Sequence, residues 1–196
     1  MRAAVAGLVL LALGSAAEAE PLGPMARTRQ VLEKSHDIVL GPGDRTQKVN
    51  ALRDLLRGFL DTEAMGRQAM GRHLDGRSAA AVNDFLAIFQ ELFVRTYVQR
   101  LLLFDAPEFA FGKETVTGDT ARVGTEIVTP KDRFAVDYRM RRSGDAWRAT
   151  DILVEDVSLA DNFRSQFDAA LAKDSFDNLM DRLRRKLTGQ PDKAAF

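Results

Sequence analysis

The sequence predicts an α+β domain: N-terminal helices, a four-stranded antiparallel meander, then C-terminal helices. Three observations carry that expectation. Apolar residues recur at helical spacing from about residue 25 to 104 and again from 159 to 187. Strict alternation occupies 133–142, and short turn sequences punctuate the stretch between the two helical regions. The chain is also of ordinary globular composition, with 196 residues, 45% hydrophobic and 29% charged, enough for one domain with a buried core.

Taken in order, Met25, Thr28, Leu32, His36 and Val39 mark one helix face, ended by the breaker Gly41-Pro42-Gly43. A second helix carries Val49, Leu52, Leu56, Phe59 and Leu60 on one stripe. Asp61 is placed to cap a third, which bears Met65 and Met70 and stops near Gly71. After the Asp75-Gly76 turn, Ser78 opens the longest helix, to about Phe104, a span of roughly 40 Å. One of its faces is aromatic: Val82, Phe85, Phe89, Leu92, Phe93 and Tyr97. Such a stripe suits a closed core or the wall of an apolar cavity, and periodicity does not separate the two.

The period changes after Pro107. Glu108–Gly112 begins a first strand, and further strands are expected over Thr120–Thr129, 133–142 and Trp147–Val157. In the third, Phe134, Val136, Tyr138 and Met140 share one face while Ala135, Asp137, Arg139 and Arg141 share the other. Ser143-Gly144-Asp145 is a hairpin turn. Helix returns from Leu159 to Leu187, with Phe163, Phe167 and Leu171, then Phe176, Leu179, Met180, Leu183 and Leu187. Residues 188–196 read as a frayed tail.

The first nineteen residues read as an address rather than as fold. Arg2 precedes an apolar run from Ala3 to Leu13, and Ala17 and Ala19 form a small-residue cleavage site, so processing is expected after Ala19. The run is shorter than the roughly 20 residues a spanning helix needs. Residues 20–196 are then a single exported domain, and with no cysteine to form disulfides the expected compartment is a bacterial periplasm.

Lys and Arg total 28 and Asp and Glu total 28, which removes the electrostatic case for nucleic acid. Absent cysteine excludes a thiolate metal site and a cysteine nucleophile. No nucleophile elbow, zinc-protease motif, phosphate-binding loop or dinucleotide fingerprint is present. His36 and His73 stand apart without an evident partner set. Asp151 and Glu155 lie on one strand face and, with Asp137, keep open a small enzyme on a cone-shaped α+β fold. Arg182, Arg184, Arg185 and Lys186 are either the solvated face of the last helix or a contact for anionic lipid or an acidic partner.

Two ordered segments resemble a known family. FLDTEAMGRQAMGRHLDG…FLAIFQELFVRTYVQRL, from Phe59 to Leu101, is similar to a pattern of Asp, Met, a Met-Gly pair and a Phe-rich helix ending in Thr-Tyr. Here those are Asp61, Met65, Met70-Gly71, Phe85, Phe89, Leu92, Thr96 and Tyr97. AWRATDILVEDVSLADNFRSQF, from Ala146 to Phe167, supplies Trp147, Asp151, Glu155, Val157, Ser158, Asn162, Phe163, Arg164, Gln166 and Phe167. Together they resemble the MlaC, or toluene-tolerance, family of periplasmic phospholipid-binding proteins. Asp156 departs from the pattern, standing where the family has Gly, a residue free to adopt backbone conformations that Asp tolerates less well.

The resemblance implies an NTF2-like cone whose apolar cavity, between sheet and helices, takes lipid acyl tails with the headgroup at the mouth. The wall residues it implies are Phe89, Phe93 and Tyr97 from the long helix, with Val123, Phe134, Val136, Tyr138 and Met140 from the sheet. Ile152 and Val154 join them from the fourth strand, because its charged face, with Asp151 and Glu155, avoids acyl chains. Trp147 shares that charged face, and its direction stays open. Asp151 and Glu155 are expected to pair structurally with Arg or backbone groups. Neither catalysis nor a resident cofactor is implied; phospholipid is the cargo. The implied partners are an inner-membrane ABC transporter complex with its substrate-binding ring and an outer-membrane lipoprotein–porin complex. The implied role is lipid shuttling in the Mla pathway, which serves outer-membrane lipid asymmetry. A related branch implies a hopanoid ligand instead, and a filled-core interaction domain is the remaining alternative.

Overall fold

A computed structural model describes residues 21–103 and 108–189. Four helices come first: α1 (Pro24–Leu40), α2 (Arg45–Phe59), α3 (Thr62–Met70), which runs on into a 3-10 turn (Gly71–Leu74), and α4 (Ala79–Leu103). Their starts follow local chemistry. Pro24 opens α1 with its φ already helical. Asp44 and Gln47 form a reciprocal capping box at α2. Asp61 accepts from the Ala64 N–H to cap α3, and the Ser78 hydroxyl accepts from the Ala81 N–H to start α4. The proposed export segment lies outside the described residues, as does all of the expected tail beyond Gly189.

The sheet has five antiparallel strands in sequence order: β1 (Glu108–Thr117), β2 (Thr120–Val128), β3 (Arg133–Ser143), β4 (Ala146–Val154) and β5 (Val157–Ser158). It is open, with β1 and β5 at its edges. The first strand begins at Glu108 and continues to Thr117, with a bulge between Phe111 and Glu114. One expectation changes here. The expected Trp147–Val157 strand is two strands, because Glu155 and Asp156 have φ of 50° and 61° and turn the chain back. Two consecutive positive φ values match the two-residue hairpin turn whose twist suits flanking strands. Asp156 therefore occupies a left-handed position that favours glycine, and its side chain is 86% exposed beside Arg122. Asp156→Gly is expected to raise stability by about 0.5–1 kcal/mol, read as a Tm a few degrees higher. The lost ion pair subtracts little at that exposure, and Asp137 still pairs Arg122 at 3.0 Å.

The C-terminal helical stretch is likewise divided, into α5 (Leu159–Leu171) and α6 (Phe176–Thr188). Ser158 and Ser175 cap their first turns, accepting from Asp161 and Asn178 N–H groups, and Gly189 ends α6 at φ 70°.

Strand pairing sets the faces. Val123 opposes Tyr138, Thr125 opposes Val136 and Ala121 opposes Met140, so these side chains share one side of the sheet. That side is covered by the N-terminal helices: Phe59 meets the Tyr138 ring edge-on at 5.6 Å, and the Thr28 hydroxyl reaches Met140 Sδ at 3.4 Å. A register shift beside Arg139 and Met140 settles the direction of Trp147. It pairs with Arg142 while Ile152 pairs with Tyr138, so the two lie on one side despite their odd and even numbers. The opposite side carries Arg122–Asp137 and Arg139–Asp151 ion pairs. On the helical side α3 and α4 approach closely at Gly66, where a Cβ would stand 2.9 Å from Leu86 and 3.0 Å from Phe89.

Candidate functional site

A cavity of about 610 Å³ lies among α4, α5 and α6. From α4 come Phe89, Leu92, Phe93 and Thr96; from α5, Phe163, Gln166, Phe167 and Ala170; from α6, Leu179, Arg182, Leu183 and Lys186. Each set repeats at three or four residues, so each helix presents one face to the same space. The volume lies within the roughly 300–1,000 Å³ of small-molecule sites. Aromatic rings form one wall: Phe89 meets Phe163 at 5.4 Å, Phe85 meets Phe167 at 5.7 Å, and Tyr97 stacks on Phe93 at 4.5 Å. Burial raises the Tyr97 phenol above its ordinary pKa, partly opposed by nearby Arg100.

The rim is charged. Lys173 and Asp174 lie between α5 and α6, with Arg182 and Lys186 on α6. Asp174 accepts from Asn178 at 2.6 Å, from the Ser175 N–H at 2.8 Å and from Arg182 at 2.7 Å. The Asn178 amide and the Ser175 N–H, followed by Arg182, hold its carboxyl below the usual range.

The ten residues expected to line a cavity fall into three places. Phe89 and Phe93 line the space described above, and Tyr97 is stacked against it. Val123, Val136, Tyr138 and Met140 are buried on the sheet face beneath α1 and Phe59. Burial pushes the Tyr138 phenol far up. Phe134 and Val154 are 37% and 36% exposed at the end of that sheet face, and Ile152 is half-buried. This cavity is bounded by three helices. Phe163, Phe167, Leu179 and Leu183 were visible in the sequence only as a helical stripe; that they close on α4 was not.

The other candidate groups have structural partners. Asp151, 1% exposed, accepts from the Ile152 and Ala160 N–H groups, the Ser158 hydroxyl and Arg139. Glu155 accepts from the Ala135 N–H, Asp137 faces Arg122, and His73 Nε2 lies 2.6 Å from Asp168. In the basic run, Arg184 meets Asp84 and Asp181. Among the described residues no group of three or more acidic or His side chains could hold a metal ion, and no helix is long and apolar enough to cross a membrane.

An open antiparallel sheet against helices, with an apolar cavity among three of them, defines an α+β protein that carries a pocket. The family model of the MlaC protein matches residues 27–185, and the chain belongs to the MlaC family. Its fold is similar to that of the phospholipid-binding protein from Ralstonia solanacearum, whose structure was determined in complex with a phospholipid. The two are 20% identical with a TM-score of 0.74, and the match covers 87% of this chain and 98% of that one.

Proposed function

We propose that this protein is a periplasmic phospholipid carrier whose acyl-chain site is the cavity among α4, α5 and α6. The observation that carries the reading is the aromatic and aliphatic lining of that cavity in a member of the MlaC family. The Ralstonia protein's bound phospholipid supports the same ligand class. Phe89 and Phe93 contact the chains, with Tyr97 as the next ring along α4. Each methylene taken from water contributes roughly 0.8 kcal/mol, so a bound chain leaves slowly unless an apolar path is offered. Membrane complexes supply such a path in a shuttle between an inner-membrane ABC transporter with its substrate-binding ring and an outer-membrane lipoprotein–porin complex. Residues 1–19 direct export.

Native mass spectrometry of gently purified protein is expected to show one bound phospholipid. A mass matching a polycyclic lipid would favour the hopanoid branch, and ligand-free protein after exposure to phospholipid vesicles would count against lipid binding. Ala169 lines the cavity yet is exposed, so a larger side chain there can enter the space without opening the core. Ala169→Trp is expected to lower bound lipid at least several-fold while leaving the thermal melt nearly unchanged. Undiminished lipid in that variant would place the acyl chains elsewhere.

A further inference from the structure

We infer that α6 is a hinged lid, pivoting on the link at 172–175 to admit an acyl chain to the cavity and then closing over it. The inference rests on the lipid-carrier reading and adds a moving part to it. Phe89, Phe93, Phe167, Leu179 and Leu183 all line the cavity and are all buried, so a chain reaches this wall only if a helix moves. Two of the three helices are fixed. α4 runs through the core, with Phe85, Val94 and Val98 buried as well. α5 is tied to β4 through Asp151, and to α3 through two Arg164 bonds to the Gln68 carbonyl at 2.9 and 2.6 Å. His73 and Asp168 join it to the turn after α3. By contrast, α6 follows a short non-helical link and meets α4 through surface groups. Arg184 and Asp84 pair at about half exposure, and Arg95 donates to the Leu187 carbonyl at 2.8 Å. Exposed pairs of that kind contribute little. Phe176 and Met180 are buried in the first turns of α6, with the Arg77 guanidinium 4.1 Å above the Phe176 ring, so the hinge end is anchored. Asp174 accepts from Asn178 and Arg182, bracing the link against those turns so that the helix swings as one body. Opening turns Leu179 and Leu183, four residues apart on one face, away from the cavity. An entering chain covers them again, so contact with an apolar surface favours the open form.

The test places cysteine pairs in a chain that has none of its own. Asp84→Cys/Arg184→Cys, joined by a short bismaleimide, staples α6 to α4 where the two side chains already meet. Gln68→Cys/Asp161→Cys, joined in the same way, staples α5 to α3. Each variant is timed before and after linking as it takes up lipid from phosphatidylethanolamine–phosphatidylglycerol vesicles. Bound lipid and the linkage are read by mass, and folding is checked by the melt. The α6 staple is expected to slow uptake about ten-fold or more, and to slow release to acceptor vesicles similarly when it is closed after loading. The α5 staple is expected to leave both rates nearly unchanged. Equal rates with and without the α6 staple, or equal slowing by the α5 staple, would overturn the lid while leaving lipid carriage intact. Unaltered protein that retains no lipid after prolonged incubation would overturn the carrier reading itself.

Discussion

Val136→Asp is expected to unfold the protein or lower its Tm by about 10 °C or more. Val136 is 3% exposed, sits mid-strand between Thr125 of β2 and Val154 of β4, and shares its face with the fully buried Val123. The Thr125 hydroxyl donates to the Val136 carbonyl, so the backbone at this point is fixed as well. A carboxylate placed there loses its water, at a cost of about 3–5 kcal/mol, a large part of the roughly 5–15 kcal/mol that holds a domain together. Circular dichroism with thermal melting reads the outcome. The opposite result is informative: a folded variant with depleted lipid would mean that water reaches this face and that the lipid site extends onto the sheet.

Removal of the Asp151 carboxylate is the second large effect. This group ties β4 to the start of α5, accepting from the Ala160 N–H and the Ser158 hydroxyl that caps the helix, and also from Ile152 and Arg139. Its charge favours the helix N-terminus. Asp151→Ala leaves these donors without their acceptor in a nearly closed site and is expected to destabilise by about 3–5 kcal/mol. Because α5 carries Phe163 and Phe167, loosening its first turn should reduce bound lipid along with the Tm. Asp151→Asn keeps one acceptor oxygen and should recover about half of the lost stability. Wild-type melting of Asp151→Ala would show that β4 and α5 are held together by apolar packing alone.

Much of the architecture was legible because the features that specify it are local. Capping at Asp61 and Ser78 needs a side chain within a few residues of an unsatisfied N–H, and the alternation of Phe134, Val136, Tyr138 and Met140 needs only the two-residue strand period. The α+β class and the run of helices, meander and helices followed from those signals. The unusual residue at 156 was also marked in advance, and its φ of 61° is the reason a glycine suits the position.

What the sequence by itself could not determine is which apolar stripe meets which. Phe89 and Phe93 on α4, Phe163 and Phe167 on α5, and the sheet face around Tyr138 are chemically alike, because burial in a core and lining of a cavity call for the same side chains. The choice was made by long-range packing. Phe59 and α1 pack on the sheet face, while the break at 172–175 separates α5 from α6, which with α4 surround a cavity. The bulge that brings Trp147 to the same side as Ile152 is of the same kind, for it depends on pairing with β3 and leaves no periodic trace along β4. Periodicity reports which face of an element avoids water, and only tertiary contact decides whether that face meets another side chain or an empty space.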